Sequence, residues 1–157
     1  MRAVREEGRE RRRCRACGFT FYGNPIPAVV AIVTRGRDVL LTRRARPPYA
    51  GTWDLPGGFL EADETPDAAI RRELREELGM TIRRARPLTA VTDRYGPGGF
   101  PILTLIYRVT PEAGAIRVAD DVSEARWFPR ARLPLRDIKF PSMRRAIADW
   151  VRDGRAR

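Results

Sequence analysis

Residues 58–80 read Gly58-Phe-Leu-Glu-Ala-Asp-Glu-Thr-Pro-Asp-Ala-Ala-Ile-Arg-Arg-Glu-Leu-Arg-Glu-Glu-Leu-Gly-Met80, and the second half of this stretch is punctuated as a helix. Thr65 suits the capping position, Pro66 the first helical position, and Asp67 complements the positive end of the helix dipole. Ile70, Leu74 and Leu78 recur every four residues as a core-facing stripe, and Gly79 is the natural stop. Glu73, Glu76 and Glu77 then stand at i, i+3 and i+4, on adjoining positions of one face. Like charges at that spacing repel. Either Arg71, Arg72 and Arg75 neutralise them on a solvated face, or hard divalent cations sit among them. Oxygen-only ligands suit Mg2+ or Mn2+ and suit zinc poorly. The helix by itself does not choose.

Both flanks of this helix carry strand patterns. Ala28-Val-Val-Ala-Ile-Val-Thr34 is a β-branched apolar run that predicts a buried strand, and Val39-Leu-Leu-Thr-Arg-Arg44 is its hairpin partner across the turn Arg35-Gly-Arg-Asp38. The Pro- and Gly-rich stretch from Arg46 to Gly58 predicts a long loop, a kind that is often functional. Thr81 to Tyr95 and Ile102 to Thr110 predict strands around Gly96-Pro-Gly-Gly99, and Glu124-Ala-Arg-Trp-Phe128 a further one. A last helix is predicted from about Pro141 to Arg152, with Met143, Ile147, Trp150 and Val151 on one face. Met1 to Arg13 has no apolar period and predicts a mobile tail or frayed helix. The expected class is α/β (α+β), a mixed sheet covered on its faces by helices.

Length and composition bound the rest. The 157 residues, 43% of them hydrophobic, suit one domain with one core. No run approaches the roughly 20 apolar residues that cross a bilayer, and the N-terminus lacks the apolar segment of a secretory signal. A cytoplasmic location with no membrane partner is expected. Histidine is absent, which excludes imidazole bases and Ser-His-Asp or Cys-His arrangements. The formal charge of +11 attracts anions such as nucleotides, although the arginines that carry it are scattered. Two cysteines, Cys14 and Cys17, cannot make a disulfide scaffold.

Taken as one unit with its loop, the opening stretch resembles the box of the Nudix hydrolase family. Gly58, Glu64, Arg72, Glu73, Leu74, Glu76, Glu77, Gly79 and Met80 fill its nine defined positions without a gap. The approach Trp53-Asp-Leu-Pro-Gly-Gly58 and the strand carrying Trp127-Phe128 also fall where that domain would have them. The likeness runs from about residue 24 to 153, leaving 1–23 as a basic tail and 154–157 as a short C-terminal tail.

The resemblance implies an α/β/α sandwich with a mixed β-sheet between helices, and hydrolysis of a nucleoside diphosphate linked to another moiety. It implies that Glu73, Glu76 and Glu77 ligate Mg2+ or Mn2+, with a backbone carbonyl oxygen from Gly57 or Gly58. Glu64 and Arg72 would hold the loop against the helix by an ion pair, with Gly58 and Gly79 as structural positions of the box. The general base would be a box glutamate or a later acid. Asp121, six residues before Trp127, stands about where that acid comes, and Asp120 and Glu124 are rivals. Arg43, Arg44 and Arg46 are candidates for substrate phosphates, because a guanidinium fork binds two oxygens at once, and Lys139 is a more distant one. Trp53, Tyr95 and Phe100 are candidates for stacking on a base. Gly57 and Gly58 would let the backbone approach the phosphates.

Cys14-Arg-Ala-Cys17-Gly, followed by Phe21-Tyr-Gly-Asn-Pro-Ile-Pro27, resembles half of the zinc ribbon that precedes the catalytic domain in NADH pyrophosphatase-like members. A structural zinc site needs four ligands, so the pair is a relic, is shared between two chains of a homodimer, or is completed by another ligand. The relic reading is preferred. The Ser-Gln-Pro-Trp-Pro-Phe-Pro signature of the NADH-cleaving members is missing. ADP-ribose or a dinucleotide-like substrate is favoured, and other sugar nucleotides and damaged nucleoside triphosphates stay open. Two other classes compete. One is a catalytically silent nucleotide-binding module of the same fold. The other is a nucleic-acid-binding protein, for which no groove-reading motif is present, so nucleic acid is not an expected partner.

Overall fold

The computed structural model describes residues 1–153; the expected tail at 154–157 lies outside the described residues. Strands β1 (Arg2–Glu6), β2 (Arg9–Arg13) and β3 (Thr20–Phe21) form a small antiparallel sheet of their own. The main sheet is built from β4 (Ile26–Arg35), β5 (Asp38–Arg44), β8 (Ile82–Tyr95), β9 (Phe100–Pro111) and β10 (Val122–Pro129), in the order β10-β5-β4-β9-β8. Two short strands, β6 (Trp53–Asp54) and β7 (Gly57–Phe59), add to β5 and β4. The β4–β9 pair is parallel and its neighbours antiparallel, so the sheet is mixed.

The sheet lies between α1 (Pro66–Leu78) and α2 (Pro141–Asp153). Strand β4 shows why its run is apolar without alternation: Val29, Ala31 and Val33 pack with Ile70, Leu74 and Leu78 of α1, while Val30 and Ile32 pack with Met143 and Ile147 of α2. A central strand buried on both faces has no polar side to show. Helix α1 begins and ends as its residues dictate. The Thr65 hydroxyl accepts the Ala68 N–H, Gly79 takes a left-handed φ of 61°, and Met80 N–H closes back on the Leu74 carbonyl at 3.0 Å. The start of α2 is capped from another element, because the Asp93 carboxylate on β8 accepts the Ser142 and Met143 N–H groups at 3.0 and 3.1 Å.

Two expectations are corrected. Met1 to Arg13 is neither tail nor frayed helix but the β1–β2 hairpin, with Glu6 opposite Arg9 and a two-residue turn at Glu7 and Gly8, whose φ values are 50° and 77°. Positive φ at both turn residues matches the right-handed twist of the strands they join, and glycine makes it accessible. The strands escaped notice because they are charged along their length. The segment from Arg46 to Gly58 is also less irregular than expected, since β6 and β7 fall within it or at its end.

Candidate active site

Helix α1 turns its acidic face toward a cavity of about 400 Å³ whose far walls come from β4, β5, β7, β8 and the loop before β10. Seven carboxylate side chains line it: Asp54, Glu61, Glu73, Glu76, Glu77, Asp120 and Asp121; the arginines that line it are Arg44 and Arg72. The remaining wall is apolar, with Phe59, Tyr95, Ile102, Phe140 and Met143.

Glu77 is the deepest of the acids, 4% exposed, and one of its oxygens accepts the Gly57 N–H at 2.9 Å. Burial, reinforced by the negative charges of Asp121 and Glu73, pushes its carboxyl up to about 9. Burial also raises Glu73, against the pull of Arg72. Arg72 gathers the surrounding acids. It donates two parallel hydrogen bonds to Glu64 at 2.8 and 2.9 Å, one to Glu73 at 2.8 Å, one to Glu76 at 3.0 Å and one to the Phe59 carbonyl at 3.0 Å. The bond to Arg72 holds the Glu64 carboxyl below its usual range. The loop expected to be held against the helix by Glu64 and Arg72 therefore has a geometry that fits that role.

The glycines sit where a side chain cannot. A Cβ at Gly58 would stand 2.5 to 2.8 Å from the Glu73 carboxylate, and one at Gly57, where φ is 137°, would collide with the Val29 carbonyl. Gly79 is the left-handed cap of α1. Asp121 lines the cavity 3.9 Å from Arg44, and Asp120 beside it takes a left-handed φ of 56°. Glu124 does not line the cavity; it pairs with Arg43 and Arg126 on the outer surface.

The arginine candidates separate in the same way. Arg44 is in the cavity, 3.5 Å from Asp54 and donating to the Tyr95 hydroxyl at 2.9 Å, and its buried Nε has no protein partner. Arg43 donates outward to the Gly51 carbonyl and covers the Trp53 ring, and Arg46 is exposed beside Asp120. Neither Arg43 nor Arg46 lines the cavity, and Lys139 does not either. Trp53 is corrected outright. It is 7% exposed, edge-on to Phe128 at 5.0 Å, and belongs to the core under α2, so no base can stack on it. Tyr95 lines the cavity, and Phe100 packs on it at 5.3 Å from the rim.

Sequence reasoning missed Asp54, Phe59 and Phe140. Asp54 is 5% exposed, and burial pushes its carboxyl up to about 6 despite Arg44. It lies in the quoted approach to the box, but no residue spacing marks it as buried. Cys14 and Cys17 are free thiols between β2 and β3, and no third ligand stands with them among the described residues. A zinc site is thus not assembled within this chain's described residues.

The acidic cleft suits a hard divalent cation. A buried carboxylate crowded by two further acids needs a positive partner, and the missing Cβ of Gly58 leaves room beside Glu73. No ready-made group of three ligands exists among the described residues, and Arg72 engages both Glu73 and Glu76.

A mixed sheet between two helices, with an acid-lined cleft along one of them, defines a small α+β fold with a candidate cation site. The NUDIX domain model matches residues 24–150, and the chain belongs to that family. It is a hydrolase acting on acid anhydrides, in a family for which Mg2+ dependence is typical. It is 33% identical over 119 residues to an ADP-ribose pyrophosphatase of Methanocaldococcus jannaschii, covering 74% of this chain and 69% of that one. It is 38% identical over 126 residues to a putative 8-oxo-dGTP diphosphatase 2 of Mycobacterium tuberculosis, covering 79% and 86%. Against the NAD-capped RNA hydrolase NudC of Deinococcus radiodurans it is 32% identical over 150 residues, which are 91% of this chain and 51% of that relative. The chain thus spans about half the length of that relative. Among solved structures, a MutT Nudix hydrolase from Burkholderia pseudomallei superposes with a TM-score of 0.71 at 30% identity, covering 80% of this chain and 97% of that one.

Proposed function

We propose that the cavity binds a nucleoside diphosphate linked to a second moiety, ADP-ribose or a dinucleotide-like molecule, and that the protein hydrolyses a phosphoanhydride bond within it. The observation that carries this reading is the buried Glu77 carboxylate beside Asp121 and Glu73, in a cavity that continues into an aromatic wall. Glu73, Glu76 and Glu77 would hold Mg2+ or Mn2+, with the Gly57 carbonyl contributing an oxygen. When bound, the cation masks the diphosphate charge and lowers the pKa of water.

The chain's own groups supply the remainder. Arg44, which lines the cavity, would offer its guanidinium to the substrate phosphates. Asp121, across the cleft from α1, or a box glutamate takes the proton of the attacking water. Tyr95, Phe59 and Phe140 offer apolar surface to a base, and Gly57 and Gly58 admit the phosphates close to the backbone. The identities to an ADP-ribose pyrophosphatase and to NudC support this substrate class. The 38% identity to a putative 8-oxo-dGTP diphosphatase favours a second reading, in which damaged nucleoside triphosphates are sanitised.

Turnover of ADP-ribose, NADH, diadenosine polyphosphates, sugar nucleotides and 8-oxo-dGTP, with Mg2+ and with Mn2+, tests both readings. Faster turnover of 8-oxo-dGTP than of any diphosphate-linked substrate would replace the first by the second. Binding with no hydrolysis across the panel would leave a silent nucleotide-binding module. No helix among the described residues is long and apolar enough to cross a membrane. We keep the cytoplasm as its compartment, where Cys14 and Cys17 would stay reduced.

A further inference from the structure

We propose that Cys14 and Cys17 form a thiol–disulfide exchange site for small anionic disulfides of the glutathione type, which closes reversibly to a Cys14–Cys17 bond. Neither residue lines the cavity, so the site is independent of what the cavity binds.

The fold brings the two thiols together. Cys14 continues strand β2 opposite Phe19, and its N–H donates to the Phe19 carbonyl at 2.8 Å. The Gly18 N–H then donates to the Cys14 carbonyl at 3.2 Å, closing a single helical turn that ends at the left-handed Gly18, with φ of 74°. Cys14 and Cys17 are i and i+3 of that turn, so they are neighbours on one side of it, with Cβ atoms about 5–6 Å apart. A disulfide needs about 3.5–4.5 Å. The turn lies at the surface, with Cys17 exposed and Cys14 half-buried, and it has room to tighten by that much.

The two sulfurs are not equivalent. The backbone N–H groups of Cys17 and Ala16, and then the Cys17 thiol, hold the Cys14 thiol below its usual range. Arg12 shares the Cys14 face of the strand by alternation, and Arg15 follows in the turn. Both are exposed, and neither has an acidic partner among the described residues. Glu10, an acid on that face, lies beyond Arg12 and opposite Arg5. A thiolate in cationic surroundings is the reactive form of cysteine, and the same charge draws an anionic partner.

The chemistry balances without a further reactant. The Cys14 thiolate attacks one sulfur of the small disulfide, whose S–S bond breaks and whose other half leaves as a thiolate and takes up a proton. Cys17 then gives its proton to solvent and attacks the Cys14 sulfur, releasing the second half in the same way. The chain loses two electrons, and the small disulfide becomes two thiols. An exposed disulfide across so short a loop is of the labile kind. In a reducing compartment the pair rests as a dithiol and closes when the disulfide pool rises.

The test is exchange of the pre-reduced full chain with oxidised glutathione in EDTA, quenched with acid and read by intact mass. With two cysteines in the chain, every product is unambiguous. The parent is expected to lose two hydrogens and keep no adduct, and excess reduced glutathione to restore it. C17S is expected to stop at one glutathione adduct, and C14S to form its adduct about tenfold more slowly. R12S/R15S is expected to slow exchange with oxidised glutathione about threefold and to leave exchange with uncharged hydroxyethyl disulfide unchanged. The folded parent is expected to close at a ratio of oxidised to reduced glutathione about tenfold lower than the parent in urea, because the turn holds the thiols together. An unchanged parent mass, an adduct that persists on the parent, or a disulfide-linked dimer would overturn the proposal. So would equal rates for C14S and C17S, equal slowing of both small disulfides by R12S/R15S, or closure as easy in urea as in the folded chain.

Discussion

The Glu77 carboxylate accepts the Gly57 amide at 2.9 Å, joining the last turn of α1 to the first residue of β7 across the floor of the cavity. That bond fixes where the deepest acid of the cleft meets the glycine backbone, and it sets the first prediction. Glu77→Gln keeps a hydrogen-bond acceptor for Gly57 but removes the charge. If Glu77 holds the cation as proposed, its loss removes several kcal/mol of transition-state stabilisation, and turnover is expected to fall by about 10³ or more with the fold intact. Steady-state kinetics at saturating Mg2+ beside a circular dichroism spectrum measure this. Unchanged turnover would remove Glu77 from the cation site.

Neighbouring glycines should fail differently. In Gly58→Ala the new methyl meets the far end of the Glu73 side chain, which can move, so stability is nearly kept while turnover drops about tenfold or more. In Gly57→Ala it meets the β4 backbone at a strained φ, so at least about 2 kcal/mol of stability is lost. Urea midpoints of the two variants, compared with their activities, separate the effects.

Asp54 makes stability depend on pH. Burial raises its folded carboxyl to about 6 from an ordinary value of 3.8, so folding favours the neutral form. Its contribution is full below about 4, declines as pH rises through 4 to 6, and is flat above. Asp54→Asn is expected to remove this decline, gaining about 2–3 kcal/mol over the parent at pH 7.5 and about nothing at pH 4. Denaturation midpoints of both proteins across that range give the difference. A constant offset with pH would contradict the assignment.

Asp93 holds the start of α2 from a distance of 49 residues in sequence. Asp93→Ala strands the Ser142 and Met143 amides and is expected to lower stability by about 1 kcal/mol. Hydrogen exchange should rise first in the opening turn of α2. Uniform exchange along the helix would show that the cap is not what holds it.

Where information is local, the residues alone decided the outcome. Thr65, Pro66 and Gly79 delimit α1 because capping and left-handed backbone depend on a few adjacent residues. The apolar runs placed the central strands for the same reason, and spacing put Glu73, Glu76 and Glu77 on one helix face. The β1–β2 hairpin was not legible, because its strands pair without the apolar alternation that marks a half-buried sheet. Its one local sign was glycine at Gly8, in a segment otherwise charged.

What the linear order could not rank was depth. Glu76 and Glu77 are adjacent, yet the Glu76 side chain is 48% exposed and Glu77 is 4% exposed as a residue, because β7 packs over one side of the helix face. Only the folded chain brings Arg44, Asp54 and Asp121 to that helix, turns Trp53 into the core and sends Arg43 outward. Hydrophobic period and capping are written over a few residues, so the chain specifies them directly. Desolvation and charge crowding depend on atoms that come from distant strands and exist only once the sheet has formed.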